Sequence, residues 1–513
     1  TIATIQLPAF PQKPLLRPAT WNTIISLRRV IEDVRVVERS VSNTARSFAL
    51  NRALGELKDI LNNQDTLPQA EKDLIIDIAE TWQEALLQIA GEVGEIAITE
   101  PIRNPYIIGD PVEGNLFVGR EDIIRQLEEL WLTNHQVQSV VIYGHRRMGK
   151  TSILRNVANR LGAEIKLAQE GRRHNPPLTP PRRGTGGRRE ESLYSQYSNF
   201  PSPMGYFRRT ALAYINLLDV GDASQGVGEV LMAICDGIAE AVNLPPPADE
   251  DLLHLPYPTF RRYLKEVEAQ LDHQSLIIAL DEFEQIEELI NRGKIAPDLI
   301  KVLRSSVQKS QHIGFAFAGL HTLEEMTEDY FQPFFASVIP IHVSFLAPAA
   351  THQILANPAI EDFPLDYTPE TLDQIYSLTA GQPYLVQLVG FQLVHRYNNQ
   401  VFEQKRDREP VFTPNDLEAV INNPDFLNKG RYYFTGVWGQ ATEGAPGQQE
   451  ILRILAPHPS GLSQSALAAA TNLDEATLLA ALQTLNRHDV IHNTQETWQI
   501  SVELFRRWVF VRC

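Results

Sequence analysis

Apolar and charged positions alternate at helical spacing from Trp21 onward. Leu27, Val30, Val34, Val37 and Val41 fall at a/d positions, with Arg28, Arg29, Glu32, Asp33, Arg35 and Glu38 between them. A second helical stretch covers Glu71–Leu87, where Leu74, Ile75, Ile78, Trp82 and Leu86 share a face. The first run is shorter than the ~3–4 heptads of a stable coiled coil. Residues 1–103 therefore predict a small helical bundle behind a proline-containing lead-in, with an oligomerisation arm as the alternative. Prolines and glycines across Asn104–Glu121 predict a linker wrapping into a new domain. Ile123, Ile124, Leu127, Leu130 and Trp131 then give the next helix its apolar face.

The period then shortens. Val140–Tyr143, Tyr214–Asp219, Leu276–Leu280, His312–Ala318 and Ile339–Phe345 are aliphatic runs that predict five strands. Helical patterns at Val227–Val242, Thr259–Leu271 and Leu299–Ser310 lie among them, so right-handed crossovers imply a five-stranded parallel sheet over residues 104–346. Residues 347–432 predict a helical lid, and Phe426–Gly444 reads as an aromatic, Gly-rich connector. In residues 446–513, helices at Gln448–Leu455, Ser463–Thr471 and Glu475–Arg487 precede short strands at Val490–His492 and Thr497–Ile500 and a last helix with Leu504 and Trp508. Three helices and a β-wing form a winged-helix pattern.

One stretch breaks every period. Gln169–Ala213 holds six prolines, five glycines and four Arg-Arg pairs, and should be mostly disordered. Leu167-Ala168 recurs at Leu212-Ala213, and removing 169–213 joins Ala163–Ala168 to Tyr214 in a continuous strand-like run. The segment reads as an in-frame insertion and resembles peptides encoded by small dispersed repeat elements; a basic nucleic-acid arm is the competing reading.

Composition narrows the class. The chain has 513 residues, enough for three or four domains, and a net charge of −17, which argues against a surface that grips nucleic acid throughout. Two cysteines, Cys235 and Cys513, are too few for a disulfide framework and suit a reducing cytoplasm. No apolar run approaches the ~18 residues of a membrane helix. Residue 1 is Thr rather than Met, so this end does not decide localisation.

The candidate chemistry sits after the first strand. Gly144-His-Arg-Arg147-Met148-Gly149-Lys150-Thr151-Ser152 fills every fixed position of a phosphate-binding loop, with a β-branched strand before it and helical spacing after it. Glycines let the backbone close on a phosphate, and amides at a helix start point toward it. Gly144, Arg147, Met148, Gly149, Lys150, Thr151 and Ser152 are the candidate nucleotide contacts, with Lys150 reaching the β- and γ-phosphates and Thr151 offering a hydroxyl to Mg²⁺. The third strand ends in Asp281-Glu282, where a buried strand delivers carboxylates to the edge of the sheet that binds ligands. Asp281 would hold Mg²⁺ through its waters, and Glu282 would act as general base beside Lys150. A solvated acidic turn is the competing reading, since Glu284, Glu287 and Glu288 follow.

A DNA-reading third helix should open with Arg, Lys, Asn or Gln. The C-terminal one opens with Asp474 and Glu475 and carries only Arg487 at its end, which favours protein contact over DNA.

Taken in order, Phe117-Val118-Gly119-Arg120-Glu121, the phosphate loop, Asp281-Glu282, Gly381-Gln382-Pro383 and the winged-helix pattern resemble the STAND family of signal-transduction ATPases. These are relatives of AAA+ proteins, and the likeness is greatest to their prokaryotic Orc-like branch. It covers roughly residues 104–513 without the insertion. The resemblance implies ATP and Mg²⁺ as cofactors, slow hydrolysis, Arg120 near the nucleotide, and Pro383 on the adenine side reporting nucleotide state to the lid. It further implies a protein partner at the winged helix or N-terminal helices and a nucleotide-dependent oligomer. One departure stands out. Leu320–Pro340 contains no Arg or Lys, so the arginine finger of a ring motor has no source there, and a nucleotide switch fits better. His321 and Thr322 are the polar groups available at the end of the fourth strand to sense a γ-phosphate, with an ordinary solvated loop as the competing and favoured reading. The alternatives to a switch are a DNA-associated initiator or transposition-type ATPase, and a nucleotide-binding scaffold without turnover.

Overall fold

The computed structural model describes residues 2–5, 17–39, 43–90, 98, 100–133, 136–173, 210–271, 274–319, 338–358, 363–406, 408–442 and 445–512. His321, Thr322 and residues 174–209 of the expected insertion lie outside them. The chain forms two compact units, one of residues 1–121, 144–149 and 343–513, the other of residues 122–143 and 150–342.

The first unit begins with three helices, α1 (Pro18–Arg39), α2 (Asn43–Asn62) and α3 (Gln69–Ala90). Val30, Val34 and Val37 of α1 share a core with Ala49, Ala53, Leu57 and Ile60 of α2 and with Ile75, Ala79 and Leu86 of α3. Two helices are predicted from the sequence and three are present. Two of the five buried apolar residues of α2, Ala49 and Ala53, are alanines, so its apolar signal is weak, yet small side chains are what let it approach α1 closely. Leu74, expected on the core face of α3, is 65% exposed.

The second unit opens with α4 (Glu121–Glu128), whose Ile123, Ile124 and Leu127 are buried. Its sheet has strands β1 (Val140–Tyr143), β2 (Thr210–Asn216), β3 (Ser275–Asp281), β4 (Ile313–Gly319) and β5 (Ile339–His342). All pair in parallel, in the order β2-β3-β4-β1-β5. Every position of β3 and β4 is buried, as expected of central strands covered on both faces. Helix α5 (Lys150–Arg173) follows β1; α6 (Val227–Val242), α7 (Asp249–His254) and α8 (Pro256–Gln270) lie between β2 and β3; α9 (Glu284–Asn291) and α10 (Asp298–Lys309) lie between β3 and β4.

Two boundaries differ from expectation. β2 spans Thr210–Asn216, not Tyr214–Asp219, and Thr210–Ala213 pair with Ser275–Ile278. It stops at Asn216 because that side chain accepts the Leu218 N–H at 3.1 Å and turns Leu217–Val220 into a 3₁₀ turn. Residues 163–168, read as strand-like, are helical within α5. An insertion placed at 169–213 thus overlaps the end of a helix and the start of a strand.

Like α1, five described helices beyond residue 343 of the first unit begin at proline: α11 (Pro348–Ala356), α12 (Pro369–Thr379), α13 (Pro383–Asn398), α14 (Pro414–Ile421) and α15 (Pro424–Gln440). Proline suits a first turn, where no amide is needed. A two-stranded parallel ribbon, β6 (Asp366–Tyr367) with β7 (Val411–Phe412), joins them. α15 corrects the expected connector. Gly430, Gly436 and Gly439 lower its helix propensity, but Phe426, Gly430, Tyr433, Phe434, Val437 and Trp438 recur on one buried face, and burial overrides propensity. The chain ends with α16 (Gln448–Leu455), β8 (Leu462–Ser463), α17 (Gln464–Ala470), α18 (Glu475–Arg487), β9 (Ile491–Thr494), β10 (Thr497–Ile500) and α19 (Glu503–Arg512). The three strands form an antiparallel sheet in the order β8-β10-β9. Leu388, Phe434, Leu452, Leu482 and Phe505 belong to one continuous core, so the helices expected of a lid and those of the C-terminal region are packed together. Among the described residues, no helix is long and apolar enough to cross a membrane.

Candidate functional site

The loop after β1 has the backbone that its sequence implies. A Cβ on Gly144 would lie 2.3 Å from the Val343 carbonyl oxygen, so only glycine fits that approach. Gly149 has φ +89°, and a Cβ there would meet nothing within 4 Å. Arg147 also adopts a left-handed φ, +61°, which is uncommon outside glycine and clusters at ligand sites.

Side chains of the same unit hold this backbone. Arg120, 7% exposed, donates to Ser344 O (2.6 Å), Met148 O (3.1 Å) and Phe345 O (3.4 Å). Its guanidinium fork thus braces loop carbonyls, which is a backbone-holding geometry. Pro383 opens α13. Gln382, just before it, donates from Nε2 to Arg147 O at 3.1 Å, and the Arg147 guanidinium lies 4.4 Å from the centre of the Tyr384 ring. The rings of His145 and Tyr433 meet edge to face at 6.3 Å. His145, Met148, Tyr433, His488 and Asp489 line a shared cleft. The contacts of Gln382, Tyr384 and Tyr433 were not foreseen from sequence. The Gly-x-Pro pattern could have pointed to the first two, while Tyr433 fell in the supposed connector.

In the second unit the acidic pair sits at the end of β3. Asp281 is 2% exposed. Its Oδ2 accepts from the Thr151 hydroxyl (2.7 Å) and the Tyr214 phenol (2.8 Å), and its Oδ1 accepts from the Glu282 amide (3.0 Å). Tyr214 is a further site residue that sequence reasoning missed. Burial, then the Asp281 charge, push its phenol above the ordinary range, so it remains a donor. The Arg155 guanidinium lies 5.4 Å from the Tyr214 ring centre. The signal for Tyr214 is register: it shares strand parity with Asn216, which pairs with Asp281.

Glu282 has φ +54°, a strained conformation that turns the chain sharply out of the strand. Burial, followed by the charge and hydrogen bond of Glu284 and the charge of Asp281, pushes its carboxyl up to about 7, with Lys150 opposing. Lys150 and Ser152, at the start of α5, are 8% and 7% exposed. Gly319 closes β4 beside Glu284, where a Cβ would come within 2.7 Å of Glu284 Oε2. The structure thus brings Thr151, Asp281, Tyr214, Glu282 and Glu284 together in one unit, and Arg120, Gly144, Arg147, Met148, Gly149 and Pro383 in the other.

Five parallel strands with β4 inserted between the loop-bearing strand and the acidic strand define the α/β fold of P-loop ATPases, in its AAA+-like form. The sequence matches no protein-family model and no curated protein. Among solved structures the chain is similar to the Walker-type ATPase PABY2304 of Pyrococcus abyssi, at 14% identity over 77% of this chain and 96% of that one, with a TM-score of 0.49. It is also similar to the ORC2 protein of Aeropyrum pernix in ADPNP–ADP complexes (14% identity, 78% and 95% covered, TM-score 0.46). A third similarity is to the ORC1 protein of the same organism in complex with DNA (11% identity, 77% and 93% covered, TM-score 0.36). The fold class rests on the strand order and loop of this chain itself.

Proposed function

We propose that this chain is an ATP-binding and ATP-hydrolysing regulatory switch of the STAND/AAA+ type. In this reading, nucleotide state sets the arrangement of the helical lid (347–432) and the C-terminal winged helix (446–513), and so presents or hides a protein-binding surface. The observation that carries it is the cluster at the end of β3: Asp281 hydrogen-bonded to Thr151, followed by a left-handed, proton-poised Glu282.

The residues fit the implied ligands. A hydroxyl and one carboxylate 2.7 Å apart are hard oxygen donors, the set Mg²⁺ takes when it keeps several waters. Open space beside Gly149 and left-handed turns at Arg147 and Gly149 suit a phosphate cradle. Bound Mg²⁺ would neutralise charge on the phosphate oxygens. Lys150 would pair with the β- and γ-phosphates. Tyr214 and the Glu282 amide would hold the Asp281 carboxylate in place. Glu282, near neutrality in affinity for a proton, would take one from the attacking water. The contacts of Gln382, Tyr384 and Tyr433 with loop residues support a lid that responds to the loop.

A DNA-associated role finds no support in α18, where the Asp474 carboxylate caps the helix by accepting the Thr477 amide at 3.0 Å and Glu475 follows. The deciding experiment is an ATP titration with and without Mg²⁺, together with a turnover assay, on wild type and Lys150→Ala. Saturable ATP binding lost in the variant supports the reading; equal affinity in both removes it.

A further inference from the structure

We infer that Gln382 is a positioning residue of the phosphate loop, fixing the peptide after Arg147 so that successive loop amides face an anion; this rests on the ATP-binding reading above. Gln382 is 0% exposed, and both ends of its amide are used. Oε1 accepts the Leu385 N–H at 2.7 Å, capping α13, while Nε2 donates to the Arg147 carbonyl at 3.1 Å. Capping alone does not call for glutamine. The shorter Asn, Asp, Ser and Thr are the favoured N-caps. The extra length of Gln382 goes into reaching Arg147.

The consequence follows from peptide geometry. Among the described residues no peptide bond is cis, and in a planar trans peptide the N–H points opposite to the C=O. Tying the Arg147 carbonyl toward Gln382 therefore turns the Met148 N–H the other way. Arg120 does the same to the next peptide, since its bond to Met148 O turns the Gly149 N–H away from Arg120. Two consecutive carbonyls are anchored by buried side chains, and the two amides behind them are left to converge as an anion-binding nest. Beside Gly149, a Cβ would meet nothing within 4 Å. Arg147 is held at its other end too, its guanidinium 4.4 Å from the Tyr384 ring centre, which accounts for an arginine persisting at φ +61°.

The test separates the two ends of the amide. Gln382→Asn keeps a good cap but is too short for Arg147. Gln382→Glu keeps the cap acceptor and replaces the donor with an oxygen facing a carbonyl. Mg-ADP affinity and thermal midpoint are measured for wild type, both variants and Lys150→Ala. The expected result is a loss of about tenfold in ADP affinity for both Gln382 variants, with the Gln382→Asn midpoint close to wild type and the Gln382→Glu midpoint lower at neutral pH than in acid, where the buried carboxyl is protonated. The Gln382→Glu loss should also recover at acid pH, relative to wild type at the same pH, because a protonated carboxyl donates again. A loss below threefold in both variants overturns the inference, as does a Gln382→Asn loss matched by a lower midpoint, which marks a merely structural cap. Normal ADP binding by Lys150→Ala would remove the ATP reading itself, whereas its loss alongside normal Gln382 variants removes this inference alone.

Discussion

Thr151 and Asp281 are joined by a 2.7 Å hydrogen bond although β4 separates their strands in the sheet. The hydroxyl comes from the helix after β1 and the carboxylate from the end of β3, so the pair exists only when all three strands are in register. Asp281→Asn keeps the size and one acceptor but removes the charge. It should bind ATP in the absence of Mg²⁺ as wild type does and lose most of the gain that Mg²⁺ confers, by about tenfold or more, given the ~1.5–3 kcal/mol of a charged hydrogen bond. Titrations at two Mg²⁺ concentrations check this.

Glu282→Gln should retain ATP and stop turnover. If Glu284→Gln stops it instead, the base lies two residues on. The pH profile gives a second check. In its proposed role as base, the carboxyl of Glu282, pushed up to about 7 by burial and Glu284, would act only when deprotonated. The kcat/KM of wild type should therefore rise through pH 7 and level off above it. Glu284→Gln removes a repelling charge and should move that limb to lower pH. For stability the sign is the reverse: the folded state holds this proton more tightly than the unfolded chain, so its contribution is full in acid and lost as pH rises through 7. Glu282→Gly, free of the left-handed strain, should melt higher than wild type while being inactive.

Removing residues 174–209 spares β2 entirely and should leave turnover and melting temperature close to wild type. Loop closure changes by only ~0.6 kcal/mol per doubling of length. Removing 169–213 should also fold, with residues 165–168 taking up the start of the strand. Failure of the longer deletion alone, in a melting experiment, would show that the end of α5 is needed as helix.

Arg52 of α2 reaches Asp33 of α1 at 2.8 Å and also bonds Asp366, the first residue of β6. Burial outweighs the cation at both acids, and the Asp33 carboxyl is pushed up to about 6. Arg52→Met would leave two buried carboxylates without their cation and should cost ~3–5 kcal/mol in denaturant unfolding. Adding Asp33→Asn and Asp366→Asn should recover much of that loss. If the triple variant is no more stable than the single one, the loss comes from packing of the arginine stem.

How far the sequence reached depends on whether a signal was local. The phosphate loop, the Asp281-Glu282 strand, α6, α16 and α18 were legible because each combines a fixed spacing with its own apolar period. α15 was not, because its glycines conceal a buried aromatic face that only tertiary packing reveals. Tyr214 and Gln382 were missed for a different reason. Each acts across strands or elements distant in sequence, through Asp281 and Arg147, and pairwise proximity of that kind leaves no mark in a linear pattern.

Nucleic-acid binding is open to direct measurement. The first turn of α18 is acidic and Asp474 is committed to capping. Phosphate contacts, made chiefly by Lys and Arg, supply most non-specific affinity. Full-length protein lacking residues 174–209 should therefore bind random duplex weakly and with little salt dependence. Tight, sequence-selective binding by that chain would favour the initiator reading over the switch.

The register of β2 against β3 also bears on ancestry. Leu212 and Ala213 lie opposite Ile277 and Ile278, and the same dipeptide stands at Leu167-Ala168. A lineage that lost residues 169–213 would set the same Leu-Ala pair opposite Ile277 and Ile278, with Ile165-Lys166 in the places of Thr210-Ala211. Gain or loss of that stretch thus leaves the strand unchanged from Leu212 onward and alters only its first two positions, where a buried threonine and an alanine would give way to isoleucine and lysine.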